Sequence, residues 1–175
     1  MLKFSDRSTN GHSKKDQVIT SAAVASLPTK WGEFSIHGFV DSETGREHTA
    51  IVKGAVRNKS GCPVRVHSQC HTGDVLGSLR CDCRAQLEFS LQYISKCDFG
   101  VVVYMQQEGR GIGLVNKLKA YHLQDLGMDT VDANLYLGFP SDARTYETAA
   151  RIINALGIRS IELMTNNPEK IEQLR

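Results

Sequence analysis

In HSQCHTGDVLGSLRCDC, His67 to Cys83, three of the chain's five cysteines gather: Cys70, Cys81 and Cys83. One residue separates the last two, so both reach a single ion only if the backbone turns sharply at Asp82. Zinc is the default ion for three thiolates without a redox partner. Three protein ligands leave one tetrahedral position open, the arrangement of a catalytic site that activates water. Two other readings stay open. Buried free thiols are one, against which the polar neighbours Arg80, Asp82 and Arg84 speak. A structural zinc closed by a histidine is the other: His67 can reach, whereas His71 follows Cys70 directly and points away on an extended segment. Cys62 and Cys97 read as packing residues.

Three further stretches carry groups suited to anions. QQEGRGIG stands between a strand and a helix, where α/β proteins place ligands. Its glycines let backbone N–H groups approach an anion, and Arg110 can fork onto phosphate oxygens. Such a loop also commonly only turns the chain, and no Gly-Lys-Ser/Thr follows it as a Walker loop requires. TNNPEK, Thr165 to Lys170, starts a helix with Asn167 as N-cap and Pro168 as first helical residue, and plain capping explains it equally. SDARTY sets Asp142 two residues before Arg144, either as a capping and surface pair or as part of a site.

The elements that position these residues follow from pattern. Glu33–Val40 and Glu47–Val56 have strand composition and are joined through the turn-like DSETG; CPVRVHSQ makes a third strand. RAQLEFSLQYISK carries Leu87, Leu91 and Ile94 at helical spacing. FGVVVYM, Phe99 to Met105, is a continuous apolar run, the mark of a strand buried on both faces. Ile112, Val115, Leu118, His122 and Leu126 share a helix face that stops at Gly127. A helix over Tyr146 to Leu156 stops at Gly157, and IRSIELM is the strand after it. This alternation predicts an α/β fold, a single layered domain with a mixed sheet flanked by helices. Residues 1–26 read as a flexible polar leader and 27–175 as the folded domain.

The bulk numbers exclude several classes. A net charge of +2 over 175 residues is too small to argue for nucleic-acid or membrane binding. No run of about 18 apolar residues exists to span a bilayer. The first twenty residues lack the apolar core of a secretory signal, and an odd number of cysteines suits a reducing compartment, so a cytoplasmic location is expected.

Taken together, RVHSQCHTGDVLGSLRCDC, QQEGRGIGLVNKLKAYHLQDLGMDTVDAN, DAR and LMTNNPEK, with TKWGEF around Trp31, resemble the GTP cyclohydrolase II family, which opens riboflavin synthesis. The resemblance runs from about Leu27 to the last residue. It implies zinc-dependent hydrolysis of GTP to formate, pyrophosphate and 2,5-diamino-6-ribosylamino-4(3H)-pyrimidinone 5′-phosphate. It also implies zinc on Cys70, Cys81 and Cys83, Mg²⁺ with the substrate phosphates, and a homodimer. Carried over by motif, nucleotide contacts fall on Arg65, Val66, His67, Ser68, Gln69, Gln86, Glu108, Gly109, Arg110, Thr130, Thr165 and Lys170. Asp142 is the implied proton acceptor, Arg144 the implied nucleophile toward the α-phosphate, and Tyr121 a helper in ring opening. A guanidinium is effectively always protonated, so clamping phosphates is the simpler role for Arg144.

The chain departs from the family at three places. HSQ stands where the family has HSE, so Gln69 offers one acceptor and one donor where a glutamate accepts twice. Arg84 replaces a glycine and must take any positive φ that glycine supplied. The family runs on past the position of Arg175, so a C-terminal family segment is expected to be absent. These departures keep two alternatives in view: a divergent paralogue with an altered purine substrate or product, and a non-catalytic nucleotide-binding zinc protein.

Overall fold

β-branched and apolar residues at alternate positions build the sheet on which the rest depends. A computed structural model describes residues 2–3 and 19–174. Among these, β2 (Ile19–Thr29), β3 (Gly32–Asp41) and β4 (Glu47–Lys53) run antiparallel in sequence order. Asp41 closes the β3–β4 turn, its Oδ1 accepting from the amides of Glu43 and Thr44 at 2.9 and 3.3 Å. β5 (Cys62–Ser68), β6 (Gly100–Met105) and β7 (Ser160–Leu163) complete the sheet with β1 (Leu2–Lys3) at its edge, in the order β1-β7-β5-β6-β4-β3-β2. β5 and β7 are parallel while β4 and β6 are antiparallel, so the sheet is mixed, as the sequence predicts.

Val101, Val102, Val103 and Met105 are fully buried, which explains the unbroken apolar run of β6. α4 (Glu147–Ala155) adds Ala149, Ile152 and Ile153 to the same core. Each buried valine, isoleucine or methionine side chain contributes about 1.5–3 kcal/mol on burial, and Ala149 less.

The described residues divide into two compact units, each assembled from separate stretches of chain. One holds the sheet, the second half of α1 (Cys83–Ser95), α4 and α5 (Pro168–Gln173). The other comprises residues 68–87 and 106–145: a π-helical turn (His71–Val75), the first turn of α1, a 3-10 turn (Glu108–Gly111), α2 (Leu114–Asp125) and α3 (Thr130–Tyr136).

Several boundaries move. The leader assigned to 1–26 is too long, because Ile19–Thr29 form β2 by pairing with β3; its residues 4–18 lie outside the described residues. The strand expected to reach Val56 stops at Lys53, before Gly54 with φ +62, where a Cβ would meet the Asp98 carbonyl. α3 is not foreseen from the sequence pattern: Val131 and Leu135 stand four apart but are exposed with Tyr136, and what starts the helix is Asp129, whose Oδ1 accepts from the Asp132 amide at 2.8 Å. The α2 face of Val115, Leu118 and Leu126 is present at the predicted spacing but faces outward, Val115 being 66% and Leu126 70% exposed. Among the described residues no helix is long and apolar enough to cross a membrane.

Candidate metal and catalytic site

The one-residue gap between Cys81 and Cys83 is bridged by a bend at Asp82, after which Cys83 opens α1. The bend is fastened by Gln86, whose amide donates to the Asp82 carbonyl at 2.9 Å and whose Nε2 donates to Asp82 Oδ2 at 2.7 Å. Cys70 caps the π-helical turn, its Sγ accepting from the Gly73 amide at 3.4 Å. The three Sγ atoms therefore lie within 4.8 Å of one another, Cys70 and Cys81 at 3.5 Å. Tetrahedral zinc with Zn–S bonds of about 2.3 Å sets sulfurs roughly 3.8 Å apart, so the cluster fits zinc with a small adjustment.

Among the described residues the group consists of the three cysteines. Gly73 lies against the cluster: a Cβ there would stand 2.9 Å from Cys81 Sγ and 3.1 Å from Cys70 Sγ. Cys62, by contrast, is fully buried with its thiol pushed up to about 11 by burial and then by Cys97, as suits a packing residue.

The cluster's charge is met by a residue that motif reading overlooks. Lys117 Nζ donates to Cys70 Sγ at 3.0 Å and to Glu108 Oε1 at 2.8 Å, both charged side chains being about nine-tenths buried. Burial alone would lower the Lys117 ammonium, but Glu108 and Cys70 raise it well above the usual lysine range. Burial likewise pushes Cys70 up, and the Lys117, Thr72 and Gly73 hydrogen bonds bring it below its ordinary value. For Cys83, burial and then its two thiol neighbours raise it.

Tyr121 stands one helical turn after Lys117 on α2, its hydroxyl sharing a 3.4 Å hydrogen bond with Thr72 Oγ1. The Arg80 guanidinium covers its ring at 4.7 Å from the centroid and pairs with Asp125. The four-residue spacing of Lys117 and Tyr121 was the available signal for Lys117.

The EGRG turn joins this cluster to a second one. Gly109 (φ +61) and Arg110 (φ +56) both take the left-handed conformation. On one side Glu108 Oε2 accepts from the His71 amide, and a Cβ on Gly109 would stand 3.0 Å from Lys117 Cβ. On the other, the Arg110 carbonyl accepts from the Ala143 amide at 3.0 Å, and Arg110 Nη1 donates to the Ser141 carbonyl at 3.2 Å. Gly111 (φ +93) leaves no room for a Cβ beneath the Ala143 backbone.

The fastened segment presents Asp142 and Arg144 as a bidentate pair. Arg144 Nε donates to both carboxylate oxygens at 2.9 and 3.1 Å, Nη2 donates to Oδ2, and the Arg144 amide adds a bond of 3.0 Å. Burial alone would raise the Asp142 carboxyl; the Arg144 hydrogen bonds and the Arg110 charge hold it below the usual carboxylate range.

The remaining predicted contacts are placed as follows. Ser68 Oγ donates to Gln107 Oε1 at 3.5 Å, Gln69 is half-buried beside Cys70, and the exposed Thr130 accepts from Gln124 at 3.3 Å. In the sheet unit, Arg65 Nη1 donates to the Met164 carbonyl at 2.9 Å and His67 stacks on Tyr104 at 5.5 Å. Thr165 Oγ1 accepts from the Asn167 amide at 3.0 Å, and Asn167 Oδ1 caps α5 through Glu169 N at 2.9 Å. Lys170, 6% exposed, donates to the Val66 carbonyl at 3.0 Å. Arg84 takes ordinary helical backbone in α1, so the glycine it replaces is not required there.

A hydrolase-type arrangement, a three-thiolate metal group with a held carboxylate and cationic side chains in the same unit, is what comparison with known proteins also supports. The family model for GTP cyclohydrolase II matches residues 20–175, and the chain belongs to this family. It is 55% identical over 150 residues to GTP cyclohydrolase-2 of Picrophilus torridus, covering 86% of this chain and 78% of that protein. It is 50% identical over 159 residues to GTP cyclohydrolase-2 of Neisseria meningitidis serogroup B, covering 91% and 80%. With riboflavin biosynthesis protein RibBA of Chlamydia trachomatis the identity is 52% over 161 residues, 91% of this chain but only 38% of the relative's length.

Proposed function

We propose that the protein hydrolyses GTP, opening the imidazole ring at C8 and releasing formate and pyrophosphate to give 2,5-diamino-6-ribosylamino-4(3H)-pyrimidinone 5′-phosphate. The reading is carried by the Cys70–Cys81–Cys83 cluster, set in a chain whose residues 20–175 match the family. Zinc held by Cys70, Cys81 and Cys83 would supply Lewis-acid activation of water. The chain's own residues do the rest. Asp142, kept ionised, accepts a proton, and Tyr121 Oη assists ring opening beside Thr72. Arg144 and Arg110 turn their guanidiniums to the phosphates as charge develops on the departing pyrophosphate, a charge that Mg²⁺ would share when bound. The family's homodimer and a cytoplasmic location complete the reading.

Purified protein given GTP, Mg²⁺ and zinc is expected to release formate and pyrophosphate together, and to stop when a chelator removes the zinc. Full zinc occupancy without formate would favour the non-catalytic reading.

The altered-purine alternative rests on Gln69. If position 69 faces the Watson–Crick edge of guanine, a carboxylate there accepts from N1–H and the exocyclic amine together, whereas the amide accepts from one only. Gln69→Glu is then expected to tighten GTP binding by about 1–3 kcal/mol and to give no gain with a purine triphosphate that lacks the 2-amino group. Unchanged turnover and base preference in this variant would remove the base-reading role of residue 69.

A further inference from the structure

We infer that Lys117 is a positioning residue of the thiolate centre: its ammonium fixes Cys70 Sγ and ties that ligand to the EGRG turn through Glu108. The inference rests on the metal reading of the three cysteines. Three observations meet at this one side chain. Its Nζ lies 3.0 Å from Cys70 Sγ and 2.8 Å from Glu108 Oε1, with both charged side chains about nine-tenths buried. Its Cβ lies against the position a Gly109 side chain would occupy, so the turn is fitted to the lysine stem. It also lies 5.6 Å from the Tyr121 ring centroid, next to the group that bonds Thr72.

The chemistry gives the placement its consequence. Three thiolates on one divalent ion carry a surplus negative charge, and the Glu108 carboxylate adds another beside them. A buried surplus of that kind is costly unless a cation stands within it. Lys117 is that cation, and its N–H donation to Cys70 withdraws electron density from the sulfur, leaving the ion more electrophilic. Outer partners of metal ligands orient them and tune the metal in this way. Lys117 bonds Cys70 and Glu108 and stands beside the Tyr121 ring, so its contribution to the centre passes through Cys70.

The test uses the full chain loaded with zinc, and in parallel with cobalt(II), whose thiolate-to-metal charge-transfer bands report on each sulfur. Lys117→Met is expected to weaken zinc retention against a chromophoric chelator by about 10–100-fold. It should also move the cobalt charge-transfer bands to longer wavelength, because a thiolate without its N–H donor gives up an electron more easily. Lys117→Arg keeps a donor and should restore both. Should Lys117→Met fail to fold, the double variant Lys117→Met/Glu108→Gln removes both buried charges together and reports the same band shift. Wild-type zinc uptake with identical bands and chelator resistance in Lys117→Met overturns the inference alone. Wild-type protein that takes up neither ion overturns the metal reading and this inference with it.

Discussion

Gly73→Ala is expected to remove zinc from the protein about as completely as Cys81→Ser does, although it changes no ligand. Glycine is needed here for space, not for conformation, since residue 73 does not have a positive φ. The methyl carbon would stand 2.9 Å from Cys81 Sγ, 3.1 Å from Cys70 Sγ and 3.2 Å from Cys83 Cβ, so all three ligand residues would have to retreat. None retreats freely. Cys70 caps the turn that contains residue 73, and Cys81 and Cys83 are held by the Asp82–Gln86 bend.

Overpacking at such a site costs about 1–3 kcal/mol in stability, which the fold can tolerate. The metal-site geometry cannot, because thiolate–zinc bonds hold within about 0.2 Å of 2.3 Å. The expected result is a folded protein with zinc affinity down by at least about 100-fold and formate release lost in parallel. Metal analysis after dialysis, with a thermal melt as fold control, checks it. A Gly73→Ala protein that keeps about one zinc per chain would mean that the three sulfurs do not share an ion. In Cys81→Ser the same loss arises directly, with Cys62 and Cys97 left in place.

The contrast between those two variants shows what could be read before the fold was known. Cysteines announce themselves by type and spacing, and the sharp turn at Asp82 follows from asking how two ligands one residue apart reach one ion. Gly73 announces nothing, because its role comes from the absence of an atom beside sulfurs that only the folded π-helical turn brings near. Lys117 is similar. Its spacing from Tyr121 hints at a shared helix face, but its two partners lie 47 and 9 residues away in sequence.

Most of the sheet was legible because strand composition and the buried run of β6 are local signals; β2 was not, its mostly exposed residues reading largely as leader. α3 was not, since its start depends on one cap and its large apolar residues Val131, Leu135 and Tyr136 face outward. The EGRG loop shows a third case. Its glycines read either as letting N–H groups approach an anion or as only turning the chain. In the fold they serve first to seat the loop between Lys117 and Ala143, a use that no phosphate motif implies.

That seating bears on the last prediction, which concerns Asp142 and Arg144. Asp142→Asn is expected to lower GTP turnover by about 10²–10⁴-fold, the usual contribution of a positioned acid–base group, while zinc content stays unchanged. Arg144→Leu separates two roles. With Arg144 in place the Asp142 carboxyl sits below its ordinary value, so the pair's contribution to stability is present above that value and is lost only as pH falls through the lowered one. Without the Arg144 side chain, burial acts against only the residue-144 amide bond and the Arg110 charge, and the carboxyl rises. The acid limb of the pH–rate profile should then move to higher pH, and turnover should also fall because a phosphate clamp is lost.

The cost in stability stays below the roughly 3–5 kcal/mol of breaking a fully buried pair, because the two side chains are 21% and 17% exposed. If Arg144 acted instead as a nucleophile, Arg144→Lys, which keeps the charge, would lose turnover as fully as Arg144→Leu. If it clamps, the lysine retains part of it. An acid limb that stays in place in Arg144→Leu, together with near-normal turnover in Asp142→Asn, would show that the carboxylate is held for structure and that the proton goes elsewhere.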